Sequence, residues 1–199
     1  MRVGVDFDNT IVCYDEAIAV LAEKMFDLPT EVSRTKLGIR DYLRCTGQEE
    51  AWTRFQGELY GPGMAYASPF PEVVSTLRDL EQAGHQFVVI SHRTRFPYLG
   101  ERYDLHQFAN DWLQAHLSRV LSSVAFHETK SDKISDIGRV GCDFFLDDLP
   151  EILSDSQFPQ STRGILFSPT GERGVWPGAS IASWVELKSV VSDGDRHRS

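Results

Sequence analysis

The chain has 199 residues, 41% of them hydrophobic and 25% charged, enough for one sizeable core or one core with a small insert. A formal charge of -9 excludes a general nucleic-acid binder, so a phosphate-bearing ligand must be met by a local cluster or a metal ion. Cys13, Cys45 and Cys142 are scattered and odd in number, and no His-x-x-x-His pair occurs, which disfavours a disulfide framework and a histidine-rich metal site. No apolar run is long enough to span a bilayer and no signal-like stretch precedes the first strand; a cytoplasmic protein without a membrane partner is expected.

Val3, Val5 and Phe7 make a short apolar run that ends in Asp6, Asp8, Asn9 and Thr10, the pattern of a buried strand reaching a polar edge. If the strand stays extended through Asp8, Asp6 and Asp8 project to the same face. Residues 14–27 read as a helix with Ala17, Ile18, Leu21, Met25 and Phe26 at helical spacing, broken at Pro29. The stretch with Arg34, Lys36, Arg40 and Arg44 has weaker periodicity. A helix over 48–60 carries Trp52, Phe55 and Leu59, and Gly61-Pro62-Gly63 stops it.

A further helix is expected over 71–83, with Val73, Val74, Leu77 and Leu80 inward and Gly84 as its stop. Phe87 to Ser91 is a continuous apolar run of the type covered on both faces, ending in Ser91-His92-Arg93-Thr94-Arg95. Asp104 can cap a helix through Leu117, and a short strand fits 124–126. Ser131 or Asp132 can cap a helix bearing Ile134 and Ile137. Phe144-Phe145-Leu146 then leads into Asp147 and Asp148. Residues 164–167 read as the last strand, 181–191 as the last helix, and 192–199 as a frayed tail.

Strands alternating with helices predict an α/β fold, a Rossmann-like parallel sheet flanked by helices. Ligands bind beyond the carboxyl ends of such strands, which is where Asp6/Asp8, Ser91 and Asp147/Asp148 fall. Residues 1–12 and 69–191 are assigned to the catalytic core. The intervening 13–68 is too long for a simple crossover and is read as a small helical cap inserted after the first strand.

Four carboxylates, a lysine and a hydroxyl around one crevice suit a hard cation, Mg²⁺, which takes oxygen ligands and works beside substrate phosphate. In this reading Asp6 is both a metal ligand and the nucleophile towards phosphorus, and Asp8 protonates the leaving group and then assists water. Asp147 ligates the metal, and Asp148 ligates it or orients its neighbours. Ser91 and backbone N–H groups hold the phosphoryl oxygens, and Lys133 spreads charge. No G-x-x-x-x-G-K-[ST] loop is present, which disfavours a P-loop kinase.

The chain resembles the haloacid dehalogenase-like (HAD) superfamily, in its phosphatase branch with a small helical cap. Asp6-Phe7-Asp8-Asn9-Thr10 matches motif I, Ser91 motif II, Lys133 motif III and Asp147-Asp148 motif IV, in the family's order. The resemblance implies an aspartyl-phosphate intermediate, Mg²⁺, and an Asp8 backbone carbonyl on the metal. It also implies phosphate-ester hydrolysis, because the dehalogenases lack a carboxylate at the Asp8 position. Motif III can also be placed at Lys130; Lys133 is preferred because it opens a plausible helix. Ser91 stands where many relatives have Thr and keeps the hydroxyl.

Asn9, Thr10, His92 and Arg93 are assigned to substrate binding. For Arg93 a solvated loop position competes equally with a role in anion binding. The expected activity is Mg²⁺-dependent hydrolysis of a small phosphorylated metabolite, such as a nucleotide or sugar phosphate. The alternatives are a phosphotransferase using the same aspartyl-phosphate and a non-catalytic phosphate-ligand binding module. Added alcohol acceptors separate the first from hydrolysis; Mg²⁺-dependent binding without turnover would mark the second.

Overall fold

The computed structural model describes residues 1–172, 174 and 176–196. The elements in chain order begin with β1 (Arg2–Val5), β2 (Val12–Cys13), α1 (Asp15–Met25), α2 (Lys36–Cys45) and α3 (Glu49–Tyr60). A 3-10 turn over Pro62–Tyr66 precedes β3 (Ser68–Pro69), α4 (Val73–Gln82), β4 (Gln86–His92), α5 (Leu105–Leu117) and β5 (Leu121–His127). The chain continues through α6 (Lys130–Val140), β6 (Phe144–Asp147), α7 (Pro150–Leu153), β7 (Arg163–Phe167), β8 (Ala179–Ile181) and α8 (Glu186–Arg196). Among the described residues no helix is long and apolar enough to cross a membrane.

Two compact units form, the first from Met1–Val12, Pro69–Arg93 and His116–Ser199. It holds a six-stranded sheet of order β5-β4-β1-β6-β7-β8 with every neighbouring pair parallel. This is the α/β, Rossmann-like sheet that the alternation of elements predicts. The near-continuous apolar runs follow from burial on both faces: Val3, Val5, Phe87, Val89, Phe145 and Leu146 are all fully buried.

Parallel register puts Gly4 beside Val88 on one side and Phe145 on the other. A Cβ at Gly4 would lie 2.5 Å from the Phe145 ring and 2.8 Å from the Cys142 sulfur, so glycine is required by close approach in the central strand. Gly4→Val should therefore cost about 1–3 kcal/mol through overpacking, read as a lower urea midpoint with unchanged m-value.

Several boundaries differ from the sequence expectation for local reasons. The first strand does not extend through Asp8. It stops at Val5, and the chain turns so that the N–H groups of Ile11 and Val12 both donate to the Phe7 carbonyl at 3.1 Å. Asn9 takes a left-handed φ of 58°, and Asp8 makes only an isolated bridge to Val12. Helix α6 is capped by Thr129, whose Oγ1 accepts from the Asp132 N–H at 3.1 Å, and not by Ser131 or Asp132.

Ala179–Ile181 forms an edge strand where the last helix was expected to begin. Ser183 is tied to Glu186 Oε1 through both its N–H and its Oγ at 3.0 Å, which delays the helix to Glu186. The helix then runs to Arg196, through the segment expected to fray. Gly194 is buried there, placed so that a Cβ would meet the Phe144 ring at 2.5 Å. His197 to Ser199 lie outside the described residues.

The second unit is helical and comprises Cys13–Ser68 with Thr94–Ala115. Its core includes Ile18 and Leu21 of α1, Ile39 and Leu43 of α2, and Phe55 and Leu59 of α3. The Trp52 ring stacks on Phe55 with centroids 5.7 Å apart, as packing and not as an open cage. Helix α2 sits where periodicity looked weak. Thr35 caps it by accepting from the Gly38 N–H at 3.2 Å, and Leu37 stays exposed, which blurs its apolar stripe.

Thr94–Ala115 clusters with this helical unit through specific contacts. Tyr103 Oη donates to Glu58 at 3.1 Å, and Trp112 Nε1 donates to the Ala67 carbonyl at 3.0 Å. The cations noted in the insert are largely engaged within it. Arg34 donates to the carbonyls of Leu28, Pro29 and Val32, Arg44 pairs with Glu49 at 2.8 Å, and Lys36 donates to Tyr60 Oη at 2.9 Å.

The cysteines are free and differ in setting: Cys45 is exposed, Cys13 half-buried and Cys142 buried. Burial pushes the Cys142 thiol up to about 11. Iodoacetamide at pH 7.5 should modify Cys45 rapidly and leave Cys142 unmodified until the chain is unfolded, as followed by intact mass.

Candidate active site

Asp6 is the residue around which the site assembles. Its N–H donates to the Leu146 carbonyl at 2.9 Å, prolonging the parallel ladder by one step, and its side chain is almost wholly buried where β1 has ended. Ser91, in β4 next door, donates its hydroxyl to Asp6 Oδ1 at 2.9 Å. From the other neighbour, β6, comes Asp147, which is fully buried and accepts the Leu149 N–H on Oδ1 at 3.0 Å.

Lys133 closes this group. Its ammonium lies 2.6 Å from Asp6 Oδ1 and 2.6 Å from Asp147 Oδ2, with 1% of the side chain exposed. The capped start of α6 aims it there, while Ile134 and Ile137 of the same helix are buried. Lys130, the competing position for motif III, points elsewhere and pairs with Glu151 at 2.9 Å, both side chains about half exposed.

Burial pushes the Asp6 carboxyl up to about 7; Lys133 opposes the rise, and Asp147 and Asp8 add to it. Burial alone would lower Lys133, but the carboxylates of Asp6 and Asp147 outweigh it and hold the ammonium above its usual range. In this coupled trio the firm direction is a charged lysine, because both its acceptors are carboxylates at hydrogen-bond distance.

Asp8 is oriented separately. One of its oxygens, Oδ1, lies 2.6 Å from a guanidinium nitrogen of Arg93. Arg93 is buried, its guanidinium 5.6 Å from the centre of the Phe7 ring, and its backbone N–H donates to the His127 carbonyl at 2.8 Å. A solvated-loop position for Arg93 is therefore not what the structure shows. His92 lies at the end of β4 with Nε2 3.2 Å from the Glu128 carbonyl. Thr10 is buried; its hydroxyl reaches Asp6 Oδ2 at a long 3.5 Å.

Trp184 was not singled out from sequence. Its indole N–H donates to the Thr10 carbonyl at 3.1 Å, bracing the loop that carries Asp8 from 174 residues away. It lies in a stretch without periodicity, so nothing local announces it.

Asp6, Asp147 and Asp148 each offer a carboxylate oxygen within 4.8 Å of the others. An all-oxygen donor set of this kind fits a hard divalent cation. Asp6 and Asp147 share the single ammonium of Lys133, so a divalent ion would add positive charge where two buried carboxylates have one cation between them.

No protein-family profile matches the chain. In sequence it is 27% identical over 160 residues to a Bacillus cereus protein provisionally named a nucleotidase, covering 77% of this chain and 79% of that one. In structure it matches a HAD-superfamily hydrolase of subfamily IA from Geobacter sulfurreducens with a TM-score of 0.61 at 13% identity, over 96% and 95% of the two chains. The chain has the HAD fold. A predicted phosphatase from Clostridium acetobutylicum gives a TM-score of 0.64 at 16% identity, over 96% and 98%. Another HAD neighbour, from Bacillus subtilis and bound to magnesium, gives 0.62 at 12%, over 96% and 97%. All residues that matched HAD motifs in sequence lie in the first unit of this HAD fold.

Proposed function

We propose that this chain is a HAD-type phosphatase, a Mg²⁺-dependent hydrolase of small phosphate monoesters that works through a phosphorylated Asp6. The observation that carries the reading is the buried Asp6 carboxylate at the end of the central strand. It is hydrogen-bonded by Ser91 and Lys133 and lies within a few ångströms of Asp147 and Asp148.

Oδ1 of Asp6 takes both strong donors, whereas Oδ2 has the long Thr10 contact alone, so Oδ2 has the less committed lone pairs. That oxygen attacks phosphorus. The bond from phosphorus to the leaving oxygen breaks, its electron pair stays with that oxygen, and the oxygen takes a proton from the Asp8 carboxyl. Water then gives a proton to the Asp8 carboxylate as its oxygen attacks the same phosphorus. The bond from Asp6 to phosphorus breaks, returning the Asp6 carboxylate and inorganic phosphate. Ser91 steadies the phosphoryl oxygens and Lys133 offsets their charge.

Asp6, Asp147, Asp148 and the Asp8 backbone carbonyl are the groups that would hold Mg²⁺. The ion supplies charge neutralisation that lets an anionic nucleophile approach an anionic phosphoryl group. The Bacillus cereus relative makes nucleotides the first substrate class to assay, with sugar phosphates second. The test is a phosphate-release screen over nucleotides, sugar phosphates and small phosphorylated acids, with Mg²⁺ and with chelator. Release that needs Mg²⁺ is expected; a wild type inert across the whole panel would sink the reading.

A further inference from the structure

The geometry points to Arg93 as a positioning residue that locks the carboxylate plane of Asp8, and not as a ligand for the substrate's anion. The inference rests on the phosphatase reading and assigns a role within it. Arg93 lies two residues beyond Ser91, where β4 has ended, and its backbone is pinned to the His127 carbonyl at 2.8 Å. Its side chain is 3% exposed, whereas that of Asp8 is 20% exposed. A ligand reaching the site can therefore touch the carboxylate while the guanidinium stays behind it.

The two groups meet at 2.6 Å, with the Phe7 ring 5.6 Å from the guanidinium carbon. To bind substrate phosphate, the buried Arg93 guanidinium would have to abandon its part-buried carboxylate partner, which is costly. A planar guanidinium fixes the plane of the carboxylate it binds in a way a compact ammonium does not. Asp8 needs such a brace. It sits in a turn, outside any regular strand, immediately before Asn9 at positive φ. Proton transfer to a leaving oxygen depends on holding the donor within hydrogen-bond reach.

The role separates two kinds of ester. Benzyl phosphate releases an alkoxide that needs the Asp8 proton; p-nitrophenyl phosphate, of similar size, releases a stable anion that does not. With Mg²⁺ present, Arg93→Met should lower benzyl phosphate turnover by about 10–100-fold while the first-turnover burst of p-nitrophenolate stays within about twofold of wild type. Arg93→Lys should recover part of the benzyl phosphate rate.

Equal losses on both esters, or full benzyl phosphate turnover by a folded Arg93→Met, would overturn the role. Should Arg93→Met fail to fold, thermal midpoints of Arg93→Lys in the wild-type and Asp8→Asn backgrounds decide the matter. A drop in the wild-type background that shrinks with Asn at position 8 supports the brace, and equal drops overturn it. A wild type inert towards both esters and across the nucleotide and sugar-phosphate panel overturns the phosphatase reading itself, a result visible before any variant is made.

Discussion

Asp6→Asn should bring Mg²⁺-dependent phosphate release down by on the order of 10⁴-fold or more, to the level of the blank. The substitution keeps the size of the side chain and removes the charged oxygen that attacks phosphorus. Stability should hold or rise. Lys133 retains Asp147 as a partner at 2.6 Å, and one of two buried carboxylates that share a single ammonium is gone. Phosphate release and a thermal melt on the same preparation check both halves. A variant that hydrolyses phosphate esters at the wild-type rate would falsify the whole mechanism.

Lys133→Met is the second large effect, and it acts on the fold as well as the chemistry. Removing the ammonium leaves Asp6 and Asp147 buried with no cation between them, where loss of one partner of a buried pair costs about 3–5 kcal/mol. Activity should vanish, and the urea midpoint should fall. Adding Asp6→Asn to the same chain should restore part of the lost stability, because a single buried carboxylate then remains. Lys130→Met is the control. Its ion pair with Glu151 is about half exposed on both sides, and its loss should cost no more than about 1 kcal/mol. Equal costs for the two lysines would contradict the placement of Lys133.

The sheet and the polar clusters at its strand ends were legible in the sequence because burial on both faces forces continuous apolar runs such as Phe87 to Ile90. Three of these runs also stop at a carboxylate or hydroxyl, Asp6, Ser91 and Asp147, which the strand ends bring into one cluster. What was not legible depended on partners distant in the chain. Arg93 read equally as an anion-binding residue or a solvated loop cation, because nothing local says that Asp8, 85 residues earlier, lies against it. Trp184 was silent for the same reason. The extended Asp6-to-Asp8 geometry failed because a left-handed Asn9 turns the chain, a choice that hydrophobic alternation does not encode. Helix α2 was missed because its buried face rests on two residues, Ile39 and Leu43, among charged neighbours.

The strand order has a consequence for how the chain acquires its structure. β1 is central, yet its two neighbours, β4 and β6, lie some eighty and one hundred and forty residues further along the chain. A chain being synthesised therefore holds Val3 and Val5 without any partner until Phe87 to Val89 has emerged, and without the second until Phe144 to Leu146 has. The Asp6 carboxylate meets Lys133 only after about 130 residues have been made. Closing such distant pairings makes the central sheet a late event, and a nascent chain interrupted before β6 would carry a central apolar strand with one edge open to association.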